Sequence, residues 1–160
     1  MATLPQLIEE DIREIDGALN DLLTKSEATS ALVIDKGGFL ITQCGDVRRF
    51  DSTTLGALAA AMYAATQGIA SLVSEINFSS VYQQGENFSI LVHNVDEHCL
   101  LVVIFRAQIS VGAVKYYSLG TISEVARQLL SAQARTPGEG FDLSMLNIAD
   151  TADLFRKKQA

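Results

Sequence analysis

Two histidines lie close together in the sequence, and imidazole is the side chain most often used for acid–base and metal chemistry. His93 and His98 flank the short segment 94–97, so a hairpin would bring both rings to one end of a sheet. A tetrahedral zinc site needs four donors, and only Asp96 and Cys99 lie near enough in sequence to complete one. The pattern therefore favours two solvated imidazoles beside a turn, and we predict no metal site.

The other residues that could take part in catalysis are scattered. Arg48 and Arg49 could supply a cation to a phosphate transition state, but an arginine pair in a loop is ordinarily solubilising. The glycine pair 37–38 lacks the lysine and the hydroxyl residue of a phosphate-binding loop. Cys44 and Cys99 have no CxxC spacing, so we expect two buried reduced thiols. We predict no catalytic site, no cofactor and no enzymatic activity of the chain itself.

The composition excludes several classes of function. The net charge of −7 argues against nucleic acid, because such binding depends on neutralising phosphates, and against anionic lipid surfaces. The first residues show no signal-peptide pattern, so the expected location is the cytoplasm. Hydrophobic residues make up 48% of the chain and charged residues only 19%. Much of the chain is therefore expected to be buried, or to be covered by a partner.

The hydrophobic pattern predicts the elements that must hold these residues. Helical spacing of apolar residues alternates with short β-rich runs, and the runs are joined by turns too short for parallel crossovers. The predicted elements are a helix over 4–22, a hairpin over 30–45, a helix over 51–75, strands over 79–84, 88–93 and 99–105, and a helix from about Ser110 to Ala134. Glycines and tyrosines weaken the first turns of this last helix, so residues 109–118 could instead form a strand. We therefore predict an α+β fold, α-β-β-α-β-β-β-α, with a five-stranded antiparallel sheet between helices and the strand 99–105 at its centre.

A Pro/Gly-rich linker follows the last predicted helix. Residues 135–140 read RTPGEG, so we place the domain at 1–134 and a linker with an acidic-hydrophobic tail at 135–160. The tail is too short to build a core of its own, and it docks elsewhere or stays mobile. Its candidate contact residues are Leu146, Ile148, Leu154 and Phe155.

The segment 51–75 carries no charged residue between Asp51 and Glu75. It is long enough to cross a bilayer, but its Ser, Thr, Ala and Gly residues give little transfer energy, so we reject a membrane span. On a helical wheel the large side chains form one stripe, with Ala65 among them, and we predict that this stripe faces the sheet. The stripe consists of Leu55, Leu58, Met62, Ile69, Leu72 and Ile76.

A second stripe of the same helix contains mostly small residues, and we predict that it is an assembly surface. Exposed apolar area on this scale usually marks an interface, and small residues let another backbone come close. The alternative is a helix buried between two layers of its own domain. The polar edge strand supports assembly, since such an edge can pair with its symmetry mate. The candidate interface residues are Ala57, Ala60, Ala61, Tyr63, Ala64, Gln67 and Gly68 on the helix, and Val81, Tyr82 and Gln83 on the strand.

Three stretches carry a family resemblance. The hairpin 33-VIDKGGFLI-41, the helix entry 51-DSTTL-55 and the segment 101-LVVIFRAQISVGAVK-115 resemble the Roadblock family of dynein light chains and their bacterial relatives. The similarity covers roughly residues 5–134. It implies a homodimer in which two copies of the long helix lie side by side over a continuous ten-stranded sheet.

The resemblance also implies a partner, a small Ras-like GTPase of the MglA type that is bound preferentially in its GTP state. Bacterial relatives of this kind act as GTPase-activating proteins in cell polarity or motility, and they reshape the GTPase without donating a catalytic arginine. Two other functions stay open at this point. One is a dimeric adaptor that bridges partners without changing nucleotide turnover. The other is a small-ligand sensor, which would need a polar cluster in its core, and the sequence shows none.

Overall fold

The computed structural model describes residues 3–135. Over these residues the order of elements is α1 (Glu9–Ser26), β1 (Ser30–Asp35), β2 (Leu40–Gly45), α2 (Ser52–Leu72), β3 (Ser80–Gln84), β4 (Phe88–Asn94), β5 (Cys99–Arg106) and α3 (Val111–Arg135). The predicted fold class and element order are confirmed. Helix α1 begins later than predicted, because the backbone of Ile8 is extended and serves as its N-cap.

The strands form one antiparallel sheet in the order β2-β1-β5-β4-β3. Strand β5 lies at the centre, as predicted, because seven of its eight residues are buried and need cover on both faces. Strands β2 and β3 form the two edges. The predicted edge position of β3 is therefore confirmed.

Helices α1 and α3 cover one face of the sheet, and α2 covers the other. On the first face Ile15 and Leu19 of α1 and Leu129 of α3 pack in one buried cluster with Val33 and Phe105 of the sheet. On the second face the side chains of β1, β4 and β5 pack against α2 in a separate buried cluster. The domain thus has three layers, with two helices on one side and a single helix on the other.

The carboxylate of Asp11 ties the start of α1 to the end of α3. It accepts hydrogen bonds from the backbone N of Ile8 at 2.8 Å, from Nε2 of Gln128 at 2.7 Å and from the guanidinium of Arg135. Burial alone would raise the pKa of Asp11, but these hydrogen bonds and the positive charge outweigh it, so the pKa is lowered. The buried carboxylate is therefore ionised near neutral pH and stabilises the packing of α1 on α3.

The turn between β1 and β2 lies directly on the backbone of α2. Gly38 has a φ of +96°, and a Cβ built on it would lie 2.8 Å from the Cα of Ala57. A Cβ on Gly56 would lie 2.9 Å from the carbonyl oxygen of Gly38 and 3.3 Å from the side chain of Ile34. Glycine at both positions thus lets helix and turn meet backbone to backbone. This contact sets how close α2 lies to the sheet.

Gly56→Ala tests that contact. The added methyl group cannot fit without moving the helix or the turn, so we expect the free energy of unfolding to fall by about 1–3 kcal/mol despite the better helix propensity of alanine. Gly17→Ala is the matched control, because Gly17 is an exposed helical glycine with no atom within 4 Å of its added Cβ. That change should stabilise the domain by about 0.5–1 kcal/mol. Urea unfolding measures both, and equal stabilisation by the two changes would contradict the contact.

Asp11→Asn tests the tie between α1 and α3. It removes a buried charge that accepts three hydrogen bonds, so we expect the free energy of unfolding to fall by about 2 kcal/mol near neutral pH. The folded-state pKa of Asp11 is depressed, so its contribution is full above the unfolded value of about 3.9 and is lost as the pH falls through the folded value. The deficit of the variant should therefore shrink in acid.

The control for this experiment is Asp21→Asn, which breaks the exposed pair of Asp21 with Lys25 and should change stability little. Urea unfolding curves of both variants and of the unchanged protein are compared near neutral pH and in acid. A deficit of Asp11→Asn that stays constant between the two conditions would show that Asp11 is not the ionised, paired group described.

Candidate functional site

Helix α2 is held at both ends by local hydrogen bonds. Its N-cap Asp51 accepts bonds from the backbone N of Thr53 at 3.0 Å and from the hydroxyl of Thr54 at 2.6 Å. These bonds lower the pKa of Asp51, and the hydroxyl of Thr54 makes the largest contribution. The carboxylate is therefore ionised and lies at the positive end of the helix dipole. At the other end Ser74 has a φ of +59°, and the backbone N of Glu75 bonds to the carbonyl of Ala70 at 2.9 Å. Both ends of α2 are therefore fixed, although none of the residues 52–72 is charged.

The prediction that the large side chains of α2 face the sheet is wrong for most of them. Leu58, Ile69 and Leu72 are 64%, 51% and 85% exposed, and Ile76 beyond the helix is 87% exposed. Of that stripe only Leu55 and Met62 pack partly against the sheet cluster, and Ala65 is also exposed. The buried positions are instead Gly56, Ala59, Ala60, Tyr63 and Ala70.

The physical reason is the glycine contact. With Gly56 lying on the turn at Gly38, the helix is oriented so that the side carrying Gly56, Ala59, Ala60 and Tyr63 faces the sheet. Leu58, Ile69 and Leu72 lie on the opposite side of the helix and therefore point away from the sheet. They lie beside the small residues that were predicted to be exposed.

The structure separates the seven helix residues predicted as an interface into two groups. Ala57, Ala61, Ala64 and Gly68 are exposed, as their assignment to an assembly surface requires. Ala60 and Tyr63 are each only 5% exposed because they lie against the sheet, so including them in an outward surface was wrong. Gln67 lies at the boundary. We define the outer face of α2 as the exposed set Ala57, Leu58, Ala61, Ala64, Ala65, Gly68, Ile69 and Leu72.

This outer face is an apolar surface without cover inside the described part of the chain. Among the described residues α2 is the one helix long and apolar enough to span a membrane by length and composition, a test that core helices of water-soluble proteins also pass. The side that carries Gly56, Ala59, Ala60 and Tyr63 lies on the sheet, and the outer face is apolar as well. An exposed apolar surface of this kind is typical of an interface.

A cavity of about 450 Å³ adjoins the C-terminal half of α2. Lys36, Tyr63, Gln67, Ser79 and Asn94 contribute to its walls. Both amide atoms of Gln67 and Oδ1 of Asn94 are buried and have no hydrogen-bond partner among the described residues. Such groups are costly when unpaired, so this α2 cavity offers hydrogen bonds to water or to a partner.

Among the residues that line the α2 cavity, Tyr63 is held in place by two contacts of its side chain. Its hydroxyl donates to the carbonyl of Phe78 at 3.0 Å, and Nζ of Lys36 lies 5.9 Å from the centre of its ring. Burial raises the pKa of Tyr63, and the nearby amide of Gln67 offsets part of that rise without reaching hydrogen-bond geometry itself. The side chain of Tyr63 is thus held between α2 and the sheet by its own contacts. The amide of Gln67 remains available to bond to another group.

The strand part of the predicted interface lies at the free edge of the sheet. Val81 is half-buried in the cluster under α2, and the exposed Gln83 shares its side of the strand. Tyr82 points to the other side, where its ring stacks on Phe105 with 6.2 Å between centroids. Within the described sheet, strand β3 pairs with β4 alone. Its outer edge therefore presents unpaired backbone groups.

The residues predicted to lie beside a turn as solvated imidazoles are buried, so that prediction was wrong. His93 lies inside β4 and is 4% exposed, and His98, in the turn directly before β5, is 7% exposed. Burial, with Lys115 nearby, lowers the pKa of His93 to about 4. Among residues 3–135 no group of His, Cys, Asp or Glu side chains is arranged to hold a metal ion.

The two cysteines differ in burial. Cys99 is buried, as predicted, whereas Cys44 is only half-buried on the edge strand β2. Burial raises the pKa of Cys99 to about 12, and burial together with Asp16 raises the pKa of Cys44 to about 11. Both thiols are free, and both are poor nucleophiles near neutral pH.

Sequence reasoning missed Leu58, Ile69 and Leu72 as surface residues, and it missed the cavity residues Lys36 and Asn94. The signal for the first group was Gly56, since a glycine inside a helix often marks a close backbone approach. No local pattern marks the second group, because the cavity is made by segments far apart in sequence. The tail residues Leu146, Ile148, Leu154 and Phe155 lie outside the described residues.

The structure is similar to solved structures of MglB. For MglB of Myxococcus xanthus the TM-score is 0.74 at 28% sequence identity, covering 79% of this chain and 96% of that one. For the gliding protein MglB of Thermus thermophilus the TM-score is 0.73 at 28% identity, covering 82% and 99%. For a structure of MglB with a tetrameric arrangement the TM-score is 0.75 at 28% identity, covering 82% and 99%. No curated protein matches the chain.

The family model of the Roadblock/LC7 domain matches residues 14–105, which is more than half of the 160 residues. The matched stretch begins within α1 and ends in β5, so it includes α2, strands β1 to β4 and all of β5 except Arg106. The resemblance found in the sequence is thereby confirmed, and the chain belongs to the Roadblock/LC7 domain family.

Proposed function

We propose that this protein is a cytoplasmic homodimer that activates GTP hydrolysis by a small Ras-like GTPase of the MglA type, in cell polarity or motility. The observation that carries the proposal is the outer face of α2, an apolar surface with no cover within the described part of the chain. The likeness to MglB structures supports the choice of regulator over other Roadblock functions.

The order of residues along the outer face suits pairing with a second copy. Its middle holds the small residues Ala61, Ala64 and Gly68, and its ends hold Leu58 and Leu72. In an antiparallel two-fold pairing centred near residues 64–65, Leu58 of each copy lies opposite Leu72 of the other, and Ala61 lies opposite Gly68. Small residues at the crossing allow the helices to approach closely, while the leucines at the ends bury apolar area.

The free edge of β3 extends the same arrangement. If the two copies of α2 cross on one side of the sheet, β3 of one copy lies beside β3 of the other and their open edges can pair. The result is a continuous ten-stranded sheet with Val81, Tyr82 and Gln83 at the junction. Support comes from the short, solvent-facing β3 and from a tetrameric arrangement found for MglB.

The GTPase is proposed to bind the platform formed by the paired α2 helices. The unpartnered amide of Gln67 and Oδ1 of Asn94 in the α2 cavity can then bond to backbone groups of the GTPase switch regions. Activation occurs by holding those switches in a reactive arrangement, with no arginine donated by this chain. Consistent with that, Arg49 is already paired with Asp46 at 2.8 Å.

Gly68→Arg tests self-association. Gly68 is exposed and no atom lies within 4 Å of a Cβ added there, so the arginine leaves the domain core intact but places a charge at the helix crossing. We expect analytical ultracentrifugation to show a dimer for the unchanged chain and a monomer for the variant. Gly17→Arg is the control, an equally open helical glycine on α1, and it should remain a dimer. A monomeric unchanged chain, or a dimer in all three, would contradict the proposed interface.

Single-turnover GTP hydrolysis by the MglA-type GTPase tests the activator function. With the protein in excess we expect at least about a tenfold acceleration, a modest value for a GTPase activator. Gly17→Arg should retain the acceleration and Gly68→Arg should abolish it, because the platform needs both copies. Binding that is equally tight to the GDP and GTP states, with an unchanged rate of hydrolysis, would refute activation and identify an adaptor.

A further inference from the structure

A second cavity, of about 240 Å³, lies under the loop that joins β2 to α2. We call it the loop cavity. Its walls come from the starts of β1 and β4, the end of β5 and residues 46–50 of the loop. It shares no lining residue with the outer face of α2 or with the α2 cavity.

The loop cavity has a mostly apolar interior. Phe50 comes from the loop, Phe88 from β4 and Ile104 from β5, and all three line it. Ile104 is 8% exposed and belongs to the buried cluster of that sheet face, so the floor is fixed by the core. An aromatic ring or a short branched chain would find matching contacts there.

A buried hydroxyl without a partner also lines the loop cavity. Ser30 is 1% exposed, and its Oγ has no hydrogen-bond partner among the described residues. The adjacent Thr29 differs, since its hydroxyl donates to the carbonyl of Ile104 at 2.8 Å. A buried hydroxyl costs free energy when it is left unpaired, so a ligand with a polar atom near Ser30 gains from pairing with it.

Two arginines give the loop cavity a net positive charge. Arg49 bonds to Asp46 at 2.8 Å, so these two charges balance. The guanidinium of Arg106 lies over the ring of Phe88, 5.7 Å from its centre, and it has no carboxylate partner among residues 3–135. One uncompensated cation thus remains in a chain whose net charge is −7. That cation is the feature that selects for an anion.

The wall formed by the loop is held in place by backbone contacts. Gly45 has a φ of +92°, and a Cβ built on it would lie 2.3 Å from the carbonyl oxygen of Thr29. The next residue, Asp46, donates its backbone N–H to the same carbonyl at 2.9 Å. The loop therefore lies tightly on the start of β1, and the cavity is formed before any ligand enters.

We propose that the loop cavity binds a small organic carboxylate with a compact apolar body. The carboxylate pairs with Arg106, the body packs on Phe50, Phe88 and Ile104, and a ligand oxygen bonds to the hydroxyl of Ser30. This site stands apart from dimer formation and from GTPase activation. Its test uses this protein alone, and the failure of either proposal leaves the other intact.

The experiment is a titration of the full ¹⁵N-labelled chain with benzoate, followed by two-dimensional NMR. We expect saturable shifts confined to the amides of residues around the loop cavity, with half-saturation at about 1 mM or below. Benzamide, which has the same ring without the charge, should bind at least about tenfold more weakly, and acetate, which lacks the ring, should not saturate.

Two variants and one control complete the test. Arg106→Gln should weaken benzoate about tenfold, and Ser30→Ala should weaken it about threefold. Arg48→Gln removes the same charge from a neighbouring residue that does not line the cavity, and it should leave binding unchanged. Arg106 is exposed, so its variant is expected to fold even if Ser30→Ala does not.

Three results would overturn the proposal. The first is no saturable shift with benzoate, and the second is equal binding of benzamide. The third is equal weakening by Arg106→Gln and Arg48→Gln, which would indicate general surface charge.

Discussion

The contact between the turn at Gly38 and the second turn of α2 at Gly56 determines the character of this molecule. Two backbones meet there without an intervening side chain, and this contact fixes which side of the single helix on this face turns toward the sheet. Gly56, Ala59, Ala60 and Tyr63 lie on the sheet side of the helix, and Leu58, Ile69 and Leu72 are left on its outer side. One steric constraint therefore produces both a packed core and an apolar surface that nothing within residues 3–135 covers.

The two faces of the sheet are covered to different extents. Two helices, α1 and α3, cover one side and are tied together by the ionised carboxylate of Asp11. The α2 side is closed by one helix, and half-buried Val81 and Ile90 extend toward the free edge at β3. A second copy placed across that edge would complete the layer, just as α3 completes the layer begun by α1.

The sequence was sufficient to predict the fold, because uninterrupted apolar runs such as 99–105 and short turns leave few alternative topologies. It was also sufficient to predict that α2 carries an exposed apolar surface, since no charge lies between Asp51 and Glu75. It misassigned the faces of α2, because the helical wheel was read on the assumption that larger residues are buried, and the contact at Gly56 reverses that rule. The burial of His93 and the loop cavity could not be predicted, because both depend on segments distant in sequence.

The central claim is that a second copy covers the outer face of α2, and disulfide trapping at its centre tests that claim most directly. Ala65→Cys places a thiol near the proposed two-fold axis, where two Cβ atoms come within bonding distance. The native thiols interfere little, since burial raises their pKa values to about 11 and about 12. Under mild oxidation at low protein concentration, the account predicts that Ala65→Cys forms a covalent dimer rapidly while the exposed Gly17→Cys stays monomeric. Equal, slow cross-linking of both variants would contradict it.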